Sequence, residues 1–313
     1  MPQIQRFDLL KKPSFGSIDK ALKQDGVVVV ENFLDFSSCD NIASILEGEQ
    51  KHNSNELSFI HINDAKFFSN ALGVSKEAYD LVTKREVFKI SKKYLGESIR
   101  LKCHRAYSNK KLYYFPWHTD NKFGTKKNEE HGIVFIVYLV DTNEGATEFV
   151  MGSHNYSHDF EANNFGHSYI GKKFKSQIEK ANGKKGSVVI SDTRTIHRGG
   201  VGSGQTVNRK SFWFQVESNM DSAERLLLNP EFLPEKVDSS LARYLGFSRV
   251  SGLDVHPVTT DIGRVLPFNY RIKMFVKFGL LVAQIPLHWL RLKLGENMKV
   301  KLRNLFRLKS DWN

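Results

Sequence analysis

The chain has 313 residues, of which 40% are hydrophobic and 26% charged, so it can bury a sizeable core in one large domain. Two cysteines, Cys39 and Cys103, are too few for a disulfide framework or a four-thiolate metal site, which favours a reducing compartment. The formal net charge of +12 lies mostly in residues 270–313, which hold ten of the 46 basic residues but only two of the 34 acidic ones.

The sequence predicts neither a secretion signal nor a membrane-spanning helix. Its first twenty residues lack the apolar segment of a signal peptide, and no stretch reaches the roughly 18 apolar residues that a membrane span needs. We therefore expect a cytoplasmic protein, with a peripheral position on the inner face of a membrane as the alternative.

Helical patterns dominate the first hundred residues. Residues 18–35 combine a short amphipathic helix, a break at Gly26 and an apolar β-branched run at 27–30 that is typical of a buried strand. Two further helices are predicted, around residues 39–50 and 76–94.

Short β-branched and aromatic runs replace the helical patterns from residue 99 onward. The predicted strands lie at 99–110, 132–141, 146–152, 186–192 and 210–217. Strands at this spacing are typical of a sandwich or barrel rather than of βαβ repeats. The polar stretch 155–182 interrupts them and is predicted to be a long loop with a helix near 174–181.

A basic helical pattern returns after Pro267, and we divide the chain into a domain at 1–268 and a C-terminal segment at 269–313. Within residues 270–309 apolar side chains recur at helical spacing and are interleaved with Lys and Arg. This segment could pack on the rest of the protein or lie in the surface of an anionic membrane. Nucleic-acid binding is not expected, because aliphatic rather than stacking aromatic residues alternate with the basic ones.

In the segment "FPWHTDNKFG" at 115–124, a single residue, Thr119, separates His118 from Asp120. Such a tripeptide occurs by chance in a chain with 11 histidines, so its context must decide. Downstream, His197 follows a predicted strand, and Arg209 enters the next one. Two imidazoles and one carboxylate on one face of an octahedron leave three positions open, as a redox-active Fe(II) needs for an organic co-substrate and O2.

Arg209 is suited to bind a carboxylate, because its guanidinium is a planar and permanently charged fork. Ser211, two positions further along the same strand, could supply a second donor on the same face.

These residues resemble the Fe(II)/2-oxoglutarate-dependent dioxygenases and, within them, the phytanoyl-CoA dioxygenase-like family. The resemblance rests on "WHTD" (117–120), "VYLVDTNEGATEFVMGSH" (137–154) and "GSVVISDTRTIHRGG" with "NRKS" (186–211), and it covers roughly residues 20–217. It implies a mainly β fold with flanking helices, in which a double-stranded β-helix, the cupin-like jelly roll, forms the core and the basic helical segment is added at the C-terminus.

The resemblance also implies roles for individual residues. His118, Asp120 and His197 are then the catalytic iron ligands, while Arg209 and Ser211 bind the distal carboxylate of 2-oxoglutarate. The cofactors are Fe(II), 2-oxoglutarate and O2, with succinate and CO2 released. The expected reaction is hydroxylation of a small-molecule, lipid or lipid-linked substrate.

Four further residues are candidates for substrate contact: Trp117, Tyr138, Thr147 and Arg198. Trp117 is explained equally well as part of the core. Arg198, next to His197, would meet either an anionic substrate or solvent.

Three other functions remain open. The chain could be a catalytically retired jelly-roll binding protein, or a peripheral membrane-binding protein that uses its basic C-terminal helices. A zinc hydrolase could use the same three ligands, but it would have no use for Arg209.

Overall fold

The computed structural model describes residues 3–47, 59–62, 65–111, 117–121, 131–156, 164–200, 206–218 and 226–247, and the five positions 275, 276, 279, 280 and 282. The chain divides into two units, Met1–Thr259 and Thr260–Asn313. The boundary predicted after residue 268 lies outside the described residues and stays a prediction. Within the described parts of the chain, no helix is long and apolar enough to cross a membrane.

Among the described residues before position 248, five of the seven α-helices lie in the first hundred residues, where helical patterns dominate the sequence. The seven are α1 (Phe15–Asp25), α2 (Phe36–Ile45), α3 (Ala71–Val74), α4 (Lys76–Val82), α5 (Arg85–Leu95), α6 (His167–Lys173) and α7 (Ser239–Tyr244). Local caps define where they begin: the side chains of Ser14 and Asp35 accept hydrogen bonds from the first turns of α1 and α2. Gly26, at φ 75°, ends α1 in the left-handed conformation that glycine adopts without strain.

Thirteen strands are present among the described residues. They are β1 (Gln5–Asp8), β2 (Val27–Glu31), β3 (Phe59–Ile62), β4 (Ala65–Phe68), β5 (Arg100–Lys111), β6 (Trp117–His118), β7 (Gly132–Tyr138), β8 (Glu148–Val150), β9 (Asn164–Phe165), β10 (Ile178–Lys180), β11 (Val188–Asp192), β12 (His197–Arg198) and β13 (Thr206–Glu217).

The strands form two sheets. The larger has the order β1-β2-β11-β7-β13-β5-β4-β3, and the smaller has the order β10-β8-β12-β6-β9. Strands β2, β11, β7, β13 and β5 of the larger sheet, and all strands of the smaller sheet, pair with strands that are not their neighbours in sequence, and all pairings except β1 with β2 are antiparallel. The predicted jelly-roll core with flanking helices is therefore confirmed.

The larger sheet is buried on both faces because its strands alternate between two apolar cores. Along β7, Phe135 and Val137 pack with the helices, whereas Val134 and Ile136 pack with residues of the smaller sheet such as Phe149. This explains why β7 is apolar at every position rather than at every second one. The helices cover one face, and the smaller sheet covers the other.

Two local predictions differ from the structure, and strand β1 lies outside the predicted elements. The helix predicted at 76–94 is two helices, α4 and α5, separated at Thr83, whose hydroxyl bonds to the backbone oxygen of Tyr79. The helix predicted near 174–181 is wrong: the helix lies earlier, as α6, and residues 178–180 form β10, which pairs with β8. Strand β1 was not predicted at all, because a polar four-residue edge strand carries little apolar signal.

The C-terminal helices predicted within 270–309 fall almost wholly outside the described residues. The five described positions between 275 and 282 are helical, and each is exposed. Phe275 is 79% exposed and Leu280 is 59% exposed.

Candidate metal centre and its cavity

Two histidines meet across paired strands of the smaller sheet. β6 ends with His118 and β12 begins with His197, and antiparallel pairing places these residues directly opposite each other. The centroids of their rings are 4.3 Å apart. Phe149 pairs with His197 from the other side and stacks on its ring at 5.6 Å. Because paired residues project from the same face of a sheet, both imidazoles reach the same cavity.

Asp120 completes a group of three side chains that could hold a metal ion. Its Oδ2 lies 3.7 Å from His197 Nε2, and one ligand atom from each of His118, Asp120 and His197 lies within 4.8 Å of the others. The backbone N–H of Asp120 donates to the oxygen of Thr193 at 2.9 Å, which holds the turn after β6 against the turn before β12. Side chains 77 residues apart are thereby brought together.

The chemistry of this group fits a divalent metal. Asp120 Oδ2 is buried and accepts no hydrogen bond from the described residues. A buried carboxylate oxygen without a donor is costly, and a cation between Asp120 and the two imidazoles would satisfy it. Two histidines and one carboxylate on one side of a cavity are the donors of a non-haem Fe(II) site with open positions.

The position of the His197 proton also suits metal binding. Its Nδ1 lies 2.9 Å from the backbone oxygen of Thr195, which can only accept, so Nδ1 carries the proton and Nε2 keeps its lone pair. Burial lowers the pKa of His197 to about 4, because the charged ring is disfavoured away from water. The ring is neutral at pH 7, which is the form that binds metals.

Arg209 lies in the same cavity, 5% exposed. Its Nη1 donates to the oxygen of Gly145 at 2.8 Å, and its Nη2 donates to the hydroxyls of Tyr107 at 2.6 Å and Thr147 at 2.9 Å. None of these partners is negatively charged, and Nε has no acceptor among the described residues. A buried, permanently charged guanidinium held by neutral groups is suited to bind an anion.

A cavity of about 500 Å³ joins Arg209 to the three possible metal ligands. Much of its wall consists of alternate residues of two paired strands, namely Cys103, Arg105, Tyr107 and Asn109 of β5, and Arg209, Trp213 and Gln215 of β13. The opposite residues, such as Phe212 and Phe214, pack under the helices. The strand period of two therefore separates the cavity from the core.

An irregularity in β5 adds one more residue to this wall. Gln215 pairs with Cys103 but Val216 pairs with Leu101, so Lys102 is an extra residue and lines the cavity beside Cys103. Lys102 Nζ donates to Glu217 Oε1 at 2.7 Å, and Glu217 is completely buried. Asn121 also donates to Glu217 Oε1, at 2.8 Å, and it directly follows Asp120. This polar network supports the turn that carries Asp120.

Three side chains brace the metal-facing strands where they meet. Arg198 follows His197 on β12, and its Nε and Nη2 both lie 2.6 Å from Glu148 Oε2 of β8. Its guanidinium lies 4.4 Å from the centre of the Trp117 ring, next to His118 on β6. Trp117, Glu148 and Arg198 are all buried, and we call them the strand clamp.

The structure places the predicted site residues in three groups. His118, Asp120, His197, Arg209 and Thr147 line the cavity together. Ser211 lies next to them on β13 but is completely buried, and it is not among the described lining residues.

The other candidates for substrate contact have partners within the protein. Tyr138 is fully buried and its hydroxyl donates to the oxygen of Ala181 at 2.6 Å. Trp117 and Arg198 belong to the strand clamp, so Arg198 is buried rather than solvent-exposed. None of the three is among the described residues that line the cavity.

Sequence reasoning missed Tyr107, Arg105 and Trp213 as cavity residues. Alternation along β13 from Arg209 would have indicated Trp213, but β5 carries no motif that shows which of its faces points inward.

Comparisons with known proteins identify a family and a fold for this chain. Residues 22–210 match the family described as phytanoyl-CoA dioxygenase (PhyH). Among curated protein sequences, none matches the chain.

Two solved structures share the fold at low identity. One is the epimerase SnoN in complex with Fe3+, alpha-ketoglutarate and nogalamycin RO, with 18% identity and a TM-score of 0.51 over 66% of this chain and 84% of SnoN. The other is HygX from Streptomyces hygroscopicus with nickel, 2-oxoglutarate and hygromycin B bound, with 14% identity and a TM-score of 0.51 over 66% of this chain and 89% of HygX.

Proposed function

The chain belongs to the phytanoyl-CoA dioxygenase family, and from this premise we propose that it hydroxylates a small-molecule substrate with His118, Asp120 and His197 as its iron ligands. The family makes it a non-haem oxygenase that uses Fe(II), 2-oxoglutarate and O2. One observation carries the assignment of residues: the three ligand atoms lie within 4.8 Å of one another in the same cavity as the buried Arg209.

Each of these residues has a defined task in the proposed mechanism. His197 presents Nε2 as a neutral ligand because Thr195 fixes its proton on Nδ1, and Asp120 supplies the negative charge that balances part of the cation. Arg209 binds the distal carboxylate of 2-oxoglutarate, with Tyr107 and Thr147 holding the guanidinium in place. When bound, the metal and 2-oxoglutarate supply O2 activation, with release of succinate and CO2.

Two alternative functions make less use of these residues. A zinc hydrolase needs an activated water, but it does not need a buried cation such as Arg209 to bind the carboxylate of a co-substrate. A retired binding protein has no need of an orphaned Asp120 oxygen facing two imidazoles. The proposal of a small-molecule substrate draws on the small organic molecules named in the SnoN and HygX structures.

Succinate release tests the proposal most directly. Protein loaded with Fe(II) without oxygen is given 2-oxoglutarate and then O2, with no other substrate. We expect slow turnover that disappears in His118→Ala, because one of three ligands is lost. Arg209→Ala should require at least tenfold more 2-oxoglutarate, since a charge-assisted contact is worth about 1.5–3 kcal/mol.

If no succinate is released, calorimetry on the same samples measures whether the protein binds the metal and 2-oxoglutarate. Binding of metal and 2-oxoglutarate without succinate release would mean that turnover awaits the substrate. Absence of both binding events in the wild type would refute the proposal and favour a retired scaffold.

We further propose that the basic C-terminal segment, 269–313, forms a unit that holds a cytoplasmic enzyme at the inner face of an anionic membrane. Phe275, Val276, Leu280 and Val282 are exposed helical positions, and the segment carries much of the net charge. A lipid or lipid-linked substrate would suit such a location.

Vesicle sedimentation tests this second proposal. Full-length protein should sediment with vesicles that contain phosphatidylserine, and much less with purely zwitterionic vesicles. Phe275→Ser together with Leu280→Ser should weaken binding because both side chains are exposed and apolar. Equal sedimentation of the wild type and the double variant would contradict a role for this helix.

A further inference from the structure

One turn supplies hydrogen-bond acceptors to two of the three possible metal ligands. It joins β11 to β12, and its Thr193 oxygen accepts the backbone N–H of Asp120 at 2.9 Å. Its Thr195 oxygen lies 2.9 Å from His197 Nδ1. Both acceptors are backbone atoms, so their directions depend on the conformation of the turn. A group that fixes this turn therefore helps to orient both ligands.

Asp192, the last residue of β11, is the buried group at the start of the turn. Its side chain is completely buried, and its carboxylate accepts five hydrogen bonds from described residues. Oδ1 accepts from the backbone N and Nε of Arg194 at 2.8 and 3.1 Å. Oδ2 accepts from Arg194 Nη2 at 3.1 Å, Tyr94 Oη at 2.8 Å and His131 Nε2 at 2.9 Å.

These contacts keep Asp192 ionised. Burial by itself would raise the pKa of the carboxyl, but the hydrogen bonds from His131 and Arg194 outweigh burial and hold the pKa well below its ordinary value. Asp192 is therefore a charged carboxylate with a fixed orientation.

The donors to Asp192 come from different parts of the fold. Tyr94 lies near the end of α5 and belongs to the apolar core on the helix side of the larger sheet. His131 directly precedes β7, and Arg194 belongs to the turn itself. The rings of Tyr94 and His131 also lie beside each other, with centroids 5.3 Å apart. Asp192 thereby ties the turn to the helices and to the start of β7.

Neither substrate contact nor stability accounts for this arrangement. Asp192 and its three donor residues are not among the described residues that line the cavity, so any effect on the cavity must act through the turn. Taking a carboxylate and a cation out of water costs about as much as their attraction returns, so a buried ion pair is a weak source of stability. Such a pair does impose a fixed geometry, here on the turn.

We propose that Asp192 is a positioning residue of the metal centre, because it fixes the turn whose two backbone oxygens orient Asp120 and His197. The inference rests on the proposed function, since it takes these two side chains as metal ligands. It goes beyond that function by assigning a metal-orienting task to a carboxylate that does not line the cavity.

Two buried tyrosines provide a matched test. Tyr94 donates to Asp192, whereas Tyr244 donates to the backbone oxygen of Val82 at 2.8 Å. Each change to phenylalanine removes one buried hydroxyl and its hydrogen bond. Calorimetric titration with Mn(II) should show about threefold weaker binding in Tyr94→Phe and an affinity within about 1.5-fold of the wild type in Tyr244→Phe, since groups that orient ligands contribute to metal affinity.

Asp192→Asn tests the carboxylate itself. We expect Mn(II) to bind about tenfold more weakly, because an amide cannot accept on both of its arms from Arg194, Tyr94 and His131. The variant removes the charge while nearly keeping the shape of the side chain.

The proton on His197 gives a second readout that a general loss of stability would not move. In the metal-free protein, NMR of the imidazole nitrogens distinguishes a ring protonated at Nδ1 from one protonated at Nε2, and His197→Gln identifies the signals. The wild type should show the Nδ1 form, because the Thr195 oxygen holds that proton. Asp192→Asn should show signals between those of the two forms.

The outcomes separate this inference from the proposed function. Failure of the wild type to bind Mn(II) would overturn both. If the wild type binds Mn(II) but Tyr94→Phe binds it as tightly as Tyr244→Phe, the positioning role is refuted even where Asp192→Asn does not fold. A folded Asp192→Asn variant with wild-type affinity, or with unchanged His197 signals, would equally refute it, and the oxygenase assignment would stand.

Discussion

Tyr107 and Ser211 show how two hydroxyls near Arg209 differ in their surroundings. Tyr107 lines the cavity and accepts a hydrogen bond from Arg209, so its own proton is available to a carboxylate bound there. Ser211, predicted as the second donor, is fully buried, and its Oγ has no partner among the described residues. Tyr107 is exposed to the cavity and Ser211 is not, and this difference, rather than spacing along β13, decides which hydroxyl can meet a bound carboxylate.

We expect Tyr107→Phe to weaken 2-oxoglutarate binding by about fivefold, because the variant loses a hydrogen bond worth roughly 1 kcal/mol at the co-substrate carboxylate. Ser211→Ala, the matched removal of a hydroxyl on the paired strand, should change the affinity by less than about twofold. Calorimetric titration of the Mn(II)-loaded variants measures both. A larger loss in Ser211→Ala than in Tyr107→Phe would favour Ser211, rather than Tyr107, as the donor to the co-substrate carboxylate.

At the scale of elements, the smaller sheet sets the distance between the possible metal ligands. β6 and β12 are each two residues long, so their own hydrogen bonds hold them only weakly. The strand clamp adds contacts on the residues next to both histidines: Arg198 pairs with Glu148 and stacks on Trp117. Its burial makes the ion pair depend on both partners, because removing one leaves the other charge away from water with less compensation.

We predict that Arg198→Gln lowers the affinity for Mn(II) by about tenfold, since residues that orient metal ligands typically contribute ten- to a hundredfold. Arg198→Lys should recover only part of this, because an ammonium cannot place two N–H donors of a planar group on Glu148 Oε2 while lying over the Trp117 ring. Lys180→Gln is the control: Lys180 also approaches Glu148, at 3.8 Å, but it is half exposed. Equal metal affinity in the wild type and Arg198→Gln, with both folded, would show that the clamp is only structural.

At the scale of the whole molecule, His104 links the larger sheet to the helices. It is 3% exposed on β5, and its Nε2 accepts a hydrogen bond from the N–H of Leu72 at the start of α3, at 3.4 Å. Its ring also lies beside Phe212 in the core. Burial lowers the pKa of His104 to about 3, because a charged ring is disfavoured there.

This pKa shift of His104 makes the free energy of unfolding depend on pH. The folded pKa lies below the ordinary value of 6.5, so the unfolded chain binds the proton first as pH falls. The contribution of the neutral ring to stability is complete above about pH 6.5 and is lost progressively between about pH 6.5 and pH 3. The protein should therefore be less stable in mild acid.

We expect the wild type to lose about 2 kcal/mol more than His104→Gln between roughly pH 7 and pH 5, because one proton changes stability by about 1.4 kcal/mol per pH unit. Urea unfolding at the two pH values measures the difference, and glutamine keeps an acceptor for Leu72. An identical pH dependence in both proteins would mean that His104 is not the group responsible.

Much of this protein is determined by short-range features of its sequence. Alternating and β-branched runs indicate the jelly-roll strands, caps and Gly26 mark the first helices, and the "WHTD" and "TIHRGG" segments with Arg209 indicate the family and its cofactors. Each of these signals is contained within a few consecutive residues, so no knowledge of strand pairing is needed to read it.

The tertiary structure decided which side chains meet and which face of a sheet each one occupies, because both depend on the register between paired strands. Pairing of β12 with β6 and β8 buries Arg198 in the strand clamp, whereas the sequence alone allowed it to meet either solvent or an anionic substrate. Pairing of β13 with β5 brings Tyr107 to Arg209. The single extra residue in β5 turns Lys102 toward the cavity. A shift of one residue moves a side chain to the opposite face of a sheet, and the partners that set the register lie roughly fifty to a hundred residues away along the chain, beyond the reach of any local pattern.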